Sequence, residues 1–247
     1  VNRIHVVPWL VRCRSVATLL PVSRRRYKFL DNRGRARLAI VCLSIMGLLN
    51  LVSLGYLLFC YLNEGDPILQ RLGGFEQGFH WVNLGMLVLT AIAFLRWIRR
   101  AYENAGATGL RMENEPGYAV WCWFVPILNL WGPFVIVGAV HGHAMREQAR
   151  WVPRLWWATY LGSSIVTRVA QVMMAGVKTM SDWHVALSWG ALGDAMAVIS
   201  AVLAVVVVRA TTVHTGKLST EVADVFGDAA AKSPQSTTST NAANDVS

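Results

Sequence analysis

Arg168 and Asp194 are the residues whose setting most suggests chemistry. Each is a charge inside a long apolar run. An isolated charge at mid-bilayer costs ~2.5–3.5 kcal/mol or more, so such groups pair or face water and often mark a site. The two lie on consecutive apolar blocks, 155–175 and 183–208, joined near 176–182. So short a link makes the blocks antiparallel neighbours. Counting inward at 1.5 Å per residue, Arg168 sits about 10 Å deep and Asp194 about 12–16 Å deep. An arginine side chain bridges that difference. The spacing predicts an intramembrane ion pair, which either fixes helix packing or relays a proton or substrate.

The second candidate is the block 118–140, which carries Pro126, Asn129, Gly132 and Pro133 within eight residues. Each proline removes a helix hydrogen bond and clashes with the turn before it. The block therefore breaks, either into a severely kinked crossing or into two half-helices that enter and return. Pro133 suits the first turn of a second half-helix, and Gly132 the tight turn before it. A half-helix N-terminus offers free N–H groups to an anion, which puts a candidate binding site at Asn129, Trp131 and Pro133. Asn129 is equally suited to capping the break.

Weaker signals complete the set. Glu76, His80, Asp182 and His184 fall where two spans emerge, an acid/base or metal constellation by position only. His141 and His143 face opposite sides of a helix. The four cysteines (Cys13, Cys42, Cys60, Cys122) have neither pairing nor metal spacing and read as inert thiols. Glu103 is placed to pair with Arg99 or Arg100 across one turn, on a helix extension that also carries Arg96. Gly193, Ala197 and Ala201 form a small-residue seam that permits close helix approach, within the chain or in a homo-oligomer. No catalytic constellation or cofactor motif emerges, so no metal and no cofactor is expected.

The elements that position these residues follow from composition. The chain has 247 residues, 54% apolar and only 15% charged, against about 25% charged in soluble domains. Its apolar residues form long blocks, and many of its 11 tryptophans sit near block ends, as at a headgroup layer. The expected fold is all-α: a multi-pass membrane bundle with full spans at 38–62, 79–98, 155–175 and 183–208. The broken 118–140 adds a re-entrant hairpin or a fifth, kinked span. Residues 1–37 form a basic arm with ten Lys/Arg and one acid, and the whole net charge of +9 resides there. Its arginines interrupt any signal-peptide core, so no cleavage is expected. Residues 211–247 read as a polar, largely disordered tail.

Lys/Arg-rich loops mark the cytoplasmic side. Segments 96–117 and 141–154 hold four and three Lys/Arg, whereas 63–78 and 176–182 hold one each. A re-entrant 118–140 puts every rich segment on one side, with both termini cytoplasmic; a crossing does not.

The string Phe94-Leu-Arg-Trp97-Ile-Arg-Arg100-Ala-Tyr-Glu-Asn104-Ala is followed by Pro116-Gly117-Tyr-Ala-Val. Then comes Trp123-Phe124-Val125-Pro126-Ile-Leu-Asn129-Leu-Trp131-Gly-Pro133, and later Trp151-Val-Pro153-Arg-Leu-Trp156-Trp157. Over residues 38–212 the chain resembles the bacterial membrane family called domain of unknown function 4328. The family pattern has Gly-Trp where Trp121-Cys122 stand, and Tyr-Gln where Phe134-Val135 stand. Any polar contact made by that glutamine in relatives is one Val135 cannot make. The resemblance implies a multi-pass membrane protein and no activity.

The function expected from these features is a non-enzymatic scaffold or regulator in the bacterial cell membrane. Its partners would be the bilayer, anionic lipids at the arm, and other proteins or further copies of itself, but not nucleic acid. One alternative is a small transporter or channel using the broken segment and the Arg168/Asp194 pair. The other is a membrane enzyme acting on lipid or envelope precursors.

Overall fold

Lipid offers the backbone no hydrogen-bond partners, so long apolar blocks satisfy themselves as helices, β-branched runs included. The computed structural model describes residues 28–63, 67–111 and 114–232. Among them every regular element is helical: α1 (Arg33–Leu62), α2 (Pro67–Ala107), α3 (Tyr118–Trp121), a 3-10 turn (Leu128–Leu130), α4 (Gly132–Ala144), α5 (Trp151–Ala175) and α6 (Met180–Lys232).

Four long helices run up and down. Early α1 meets late α2, where the Asn32 amide donates to the Trp97 carbonyl at 3.2 Å. Gly47 faces Ala201 and Gly190 faces Leu57, so α1 and α6 are antiparallel. Gly162 faces Met196 and Gly193 faces Thr167, so α5 and α6 are antiparallel too. One end of the bundle, the near end, thus gathers the start of α1, the ends of α2 and α4, the start of α5 and the later half of α6. The α5–α6 connection lies at the far end. There Thr179 Oγ1 accepts the Asp182 N–H at 3.1 Å, while Asp182 Oδ2 accepts the Thr179 N–H at 3.0 Å. That reciprocal cap starts α6.

The sequence-based element list needs three corrections. Among the described residues three helices, not four or five, are long and apolar enough to cross a membrane: Arg33–Leu62, Gly78–Ala107 and Met180–Val225. The expected span 155–175 is helical, but Thr159, Ser163, Ser164, Thr167, Arg168 and Gln171 dilute its apolarity. The broken block yields no helix longer than the 13 residues of α4, about 20 Å of rise. Finally, α6 does not stop near 208 but continues to Lys232. Its polar extension has neighbours: Thr211 and Thr215 are buried, and Glu221 pairs with Arg146. Residues 1–27 of the expected arm and 233–247 of the expected tail lie outside the described residues.

The small-residue seam serves packing inside the chain. A Cβ on Gly193 would stand 2.6 Å from Thr167 Oγ1 and 3.3 Å from its backbone nitrogen. Overpacking of this kind costs about 1–3 kcal/mol. Gly193→Ala should therefore lower the unfolding midpoint of the purified protein in a detergent titration. An unchanged midpoint would contradict the α5–α6 register.

Candidate functional site

Polar side chains in apolar helices are tolerated where they meet one another. On α1, Asn50 and Ser53 share a face at i,i+3 spacing; on α2, His80 and Asn83 do so; on α5, Thr167 and Gln171 do so at i,i+4. All six line one cavity of about 760 Å³ between α1, α2, α5 and α6. Asp194 joins them from α6, about 21 Å along from the start of that helix. The Asn50 amide donates back to the Met46 carbonyl at 2.9 Å. Ser53 is the hydroxyl that hydrogen-bonds Asp194. Asp194 Oδ2 is buried and has no hydrogen-bond partner among the described residues. Apart from His80, no basic side chain among the described residues lines the cavity, and its remaining wall is largely apolar, with Met46, Val52, Leu57, Leu84, Leu87 and Leu187 among it.

The broken segment is built differently from a crossing. After α2 ends, α3, the 3-10 turn and α4 form a hairpin. His143, near the end of α4, meets Thr108, just past α2, with Nε2 and Oγ1 3.0 Å apart. The hairpin thus returns to the end of the bundle from which it started. The Trp157 indole of α5 donates to the Leu130 carbonyl at 2.9 Å and holds the 3-10 turn. Trp123 fills the interior, its ring 5.5 Å from Phe94, 6.4 Å from Trp156 and 5.8 Å from Trp157. Gly132 is needed for closure, because a Cβ there would lie 2.9 Å from Cys122 Cβ. The tip turns Trp121, Phe124, Val125, Ile127, Leu130 and Trp131 outward. The string Phe124-Val125-Pro126…Asn129-Leu130-Trp131…Pro133 thus makes a tryptophan-pinned hairpin. A family model described as Domain of unknown function (DUF4328) matches residues 69–213. The chain belongs to that family. No curated protein and no solved structure matches the chain. The DUF4328 match covers α2 from residue 69, the hairpin, α5 and most of α6; it does not reach α1, where the resemblance was expected to start at residue 38.

Within the DUF4328 segment, the predicted Arg168–Asp194 ion pair does not form. Arg168 is exposed and its guanidinium donates to Gln171 Oε1 at 3.1 Å. The register explains why: Thr167 is the α5 residue that meets Gly193, and its successor is rotated about 100° off that contact. Arg168, outside the bundle, has a stem long enough to carry its charge toward an interface.

The proposed anion site fares differently by residue. Pro133 is buried in the first turn of α4, and Trp131 is the N-cap residue. Asn129 does not cap α4; its Oδ1 is buried without a partner among the described residues. No cation accompanies these groups within the hairpin.

Of the Glu76/His80/Asp182/His184 constellation, the three described side chains, His80, Asp182 and His184, are not grouped as one site. Asp182 is taken up by the cap on Thr179, His184 packs against Tyr61 in a tilted arrangement with ring centroids 5.0 Å apart, and His80 lines the cavity. The side chain of Glu76 lies outside the described residues. Among the described residues no three His, Cys, Asp or Glu side chains are grouped to hold a metal.

His141 and His143 do point to different neighbours. His141 Nδ1 lies 3.0 Å from Thr211 Oγ1 of α6. Burial, reinforced by the nearby His214, lowers the pKa of His141; burial also lowers that of His143, against the opposing contact with Thr108. These rings tie the hairpin to the bundle. Glu103 pairs with both Arg99 at 3.5 Å and Arg100 at 2.7 Å.

The cavity residues other than Asp194 were visible as polar exceptions in apolar runs. Their shared signal is the repeated i,i+3 or i,i+4 polar pair on three separate helices.

Proposed function

We propose that this is a multi-pass protein of the bacterial cell membrane that binds a small organic cation between its helices, in the manner of a small transporter. The single observation that carries this reading is the cavity at Asp194. Among the described residues, a carboxylate oxygen buried without a partner, hydroxyl and amide groups on three helices, and an apolar wall with no Lys or Arg together suit a lipophilic cation. Its volume of about 760 Å³ falls in the range of small-molecule sites, ~300–1,000 Å³.

The membrane placement follows from charge. The near end carries Arg33, Arg35, Arg37, Arg96, Arg99, Arg100, Arg111, Arg146, Arg150 and Arg154, which favours the cytoplasmic side for that end. The α5–α6 connection at the far end carries only Lys178. In this reading the hairpin dips its apolar tip into the cytoplasmic leaflet and returns. Helix α5 then crosses because α6 has to start at the far end. Its packing on α6 shelters Thr167 and Ser163, and Arg168 snorkels. Both termini are cytoplasmic.

The scaffold or regulator reading rests on the basic arm and the tail, and the cavity favours the transporter reading over it. The test is equilibrium dialysis of tetraphenylphosphonium against the full-length protein in nanodiscs. Saturable binding above that of empty discs is expected. Binding no greater than to empty discs overturns the proposal.

A further inference from the structure

Away from that cavity, at the near end, α1 and α2 hold a second concentration of polar groups. Arg35 of α1 and Arg96, Arg99 and Arg100 of α2 line a cleft of about 390 Å³ together with Glu103. Four guanidinium groups face a single carboxylate there. Glu103 is already engaged by Arg99 and Arg100. Arg35 and Arg96 have no carboxylate within salt-bridge distance among the described residues, and Arg100 Nε is buried with no hydrogen-bond acceptor among them. Such a cleft lacks an anion. Guanidinium forks match phosphate oxygens two at a time.

The apolar surface beside the cleft says which phosphate fits. One to three turns further along α1 from Arg35 stand Leu38, Val41 and Ile45; a turn or two back from Arg96 on α2 stand Leu89 and Ile92. All five are exposed. A phosphate held in the cleft would therefore sit at the top of an apolar strip, as a lipid headgroup does above its acyl chains.

We propose that the Arg35/Arg96/Arg99/Arg100 cleft binds the phosphate of an anionic phospholipid, phosphatidylglycerol being the simplest. The sequence suggests diffuse attraction of such lipids to the arm; the cleft is a discrete site shared between two helices, most of it on α2. The inference needs the chain to sit in a bilayer but does not depend on the Asp194 cavity.

The test is native mass spectrometry of the full-length protein in detergent, titrated with dioleoyl phosphatidylglycerol or dioleoyl phosphatidylcholine. Two double variants remove the same charge from the same end of the bundle. Arg35→Gln/Arg96→Gln empties the cleft and leaves the Arg99/Arg100/Glu103 cluster intact. Arg33→Gln/Arg37→Gln removes guanidinium groups outside it. The wild type should bind its first phosphatidylglycerol more tightly than phosphatidylcholine. The cleft variant should lose that binding by about 30-fold, roughly fivefold for each guanidinium near an anionic headgroup. The control variant should stay close to wild type, and millimolar inorganic phosphate should not displace the lipid. Equal loss in both variants would reduce the effect to general surface charge. No preference between the two lipids would overturn the site. Displacement by inorganic phosphate would make it a site for a soluble phosphate instead of a lipid.

Discussion

Asp194→Asn is expected to weaken tetraphenylphosphonium binding by roughly 10- to 150-fold, the equivalent of the roughly 1.5–3 kcal/mol attached to a charged partner. Asparagine keeps the volume of the side chain and can still accept from Ser53, so the helices should pack as before and the unfolding midpoint should hardly move. What is lost is the charge, in a setting where apolar walls screen it poorly. Ser53→Ala removes only a neutral donor and should cost less. The wild type should also release the cation as pH falls, because a protonated carboxyl offers no charge, and Asp194→Asn should flatten that dependence. Equal affinity in wild type and Asp194→Asn would place the anchor elsewhere and leave the cavity without its argument.

The largest expected effect on folding is at Trp97. Its side chain is fully buried, with a relative exposure of 0%. The ring packs 5.2 Å from Phe94, its Nε1 donates to Thr212 Oγ1 of α6 at 3.0 Å, and its carbonyl accepts from Asn32 at the start of α1. One residue of α2 therefore joins three helices. In soluble cores Trp→Ala costs about 3–5 kcal/mol. In lipid the transfer part is smaller, since acyl chains are as apolar as the core, and the lost packing remains; about 3 kcal/mol is the expectation for Trp97→Ala. Trp97→Phe, which loses chiefly the hydrogen bond, should cost about 0.5–1.5 kcal/mol. Unfolding midpoints in a denaturing-detergent titration measure both. A Trp97→Ala midpoint equal to that of Trp97→Phe would contradict the packing role.

Much of the framework was legible in the sequence because lipid imposes few solutions. Long uncharged runs can only be helices there, and two prolines with Asn129 and Gly132 between them can only be a break. The termini of the helices were less legible. Helix α6 runs on past Val208 because Thr211 and Glu221 find partners on the hairpin and its following turn, contacts that residue composition does not announce. The apolarity of 155–175 was overestimated because its threonines and serines read singly as neutral, whereas together with Arg168 and Gln171 they dilute the block. The ion pair failed on a rotation of one residue: depth along the two helices placed Arg168 beside Asp194, but the close approach at Gly193 turned Thr167 inward and left Arg168 outside. Spacing along a helix gives depth and relative face. Which face meets a neighbour is decided by where the glycines let the backbones approach.

The same rotation changes what Asp194 stands for. Paired with Arg168 it would have been a neutral structural strut. Hydrogen-bonded to Ser53 in the wall of a cavity, it is, in the function proposed, the acid that receives the cation.

In the proposed topology the hairpin decides which side of the membrane every loop occupies. The turn at Arg146, Glu147 and Ala149, all with left-handed backbone, is the most informative place to probe it. The measurement is labelling by a membrane-impermeant thiol reagent in intact cells, with all four native cysteines replaced and a single cysteine placed at Gln148 or at Lys178. The cysteine at 148 should be protected until the cells are permeabilised, while the one at 178 should be labelled from outside. Labelling at 148 in intact cells would contradict the proposed topology: segment 118–140 would then cross the membrane, and the shared cytoplasmic end of α1, α2 and α6 would be lost.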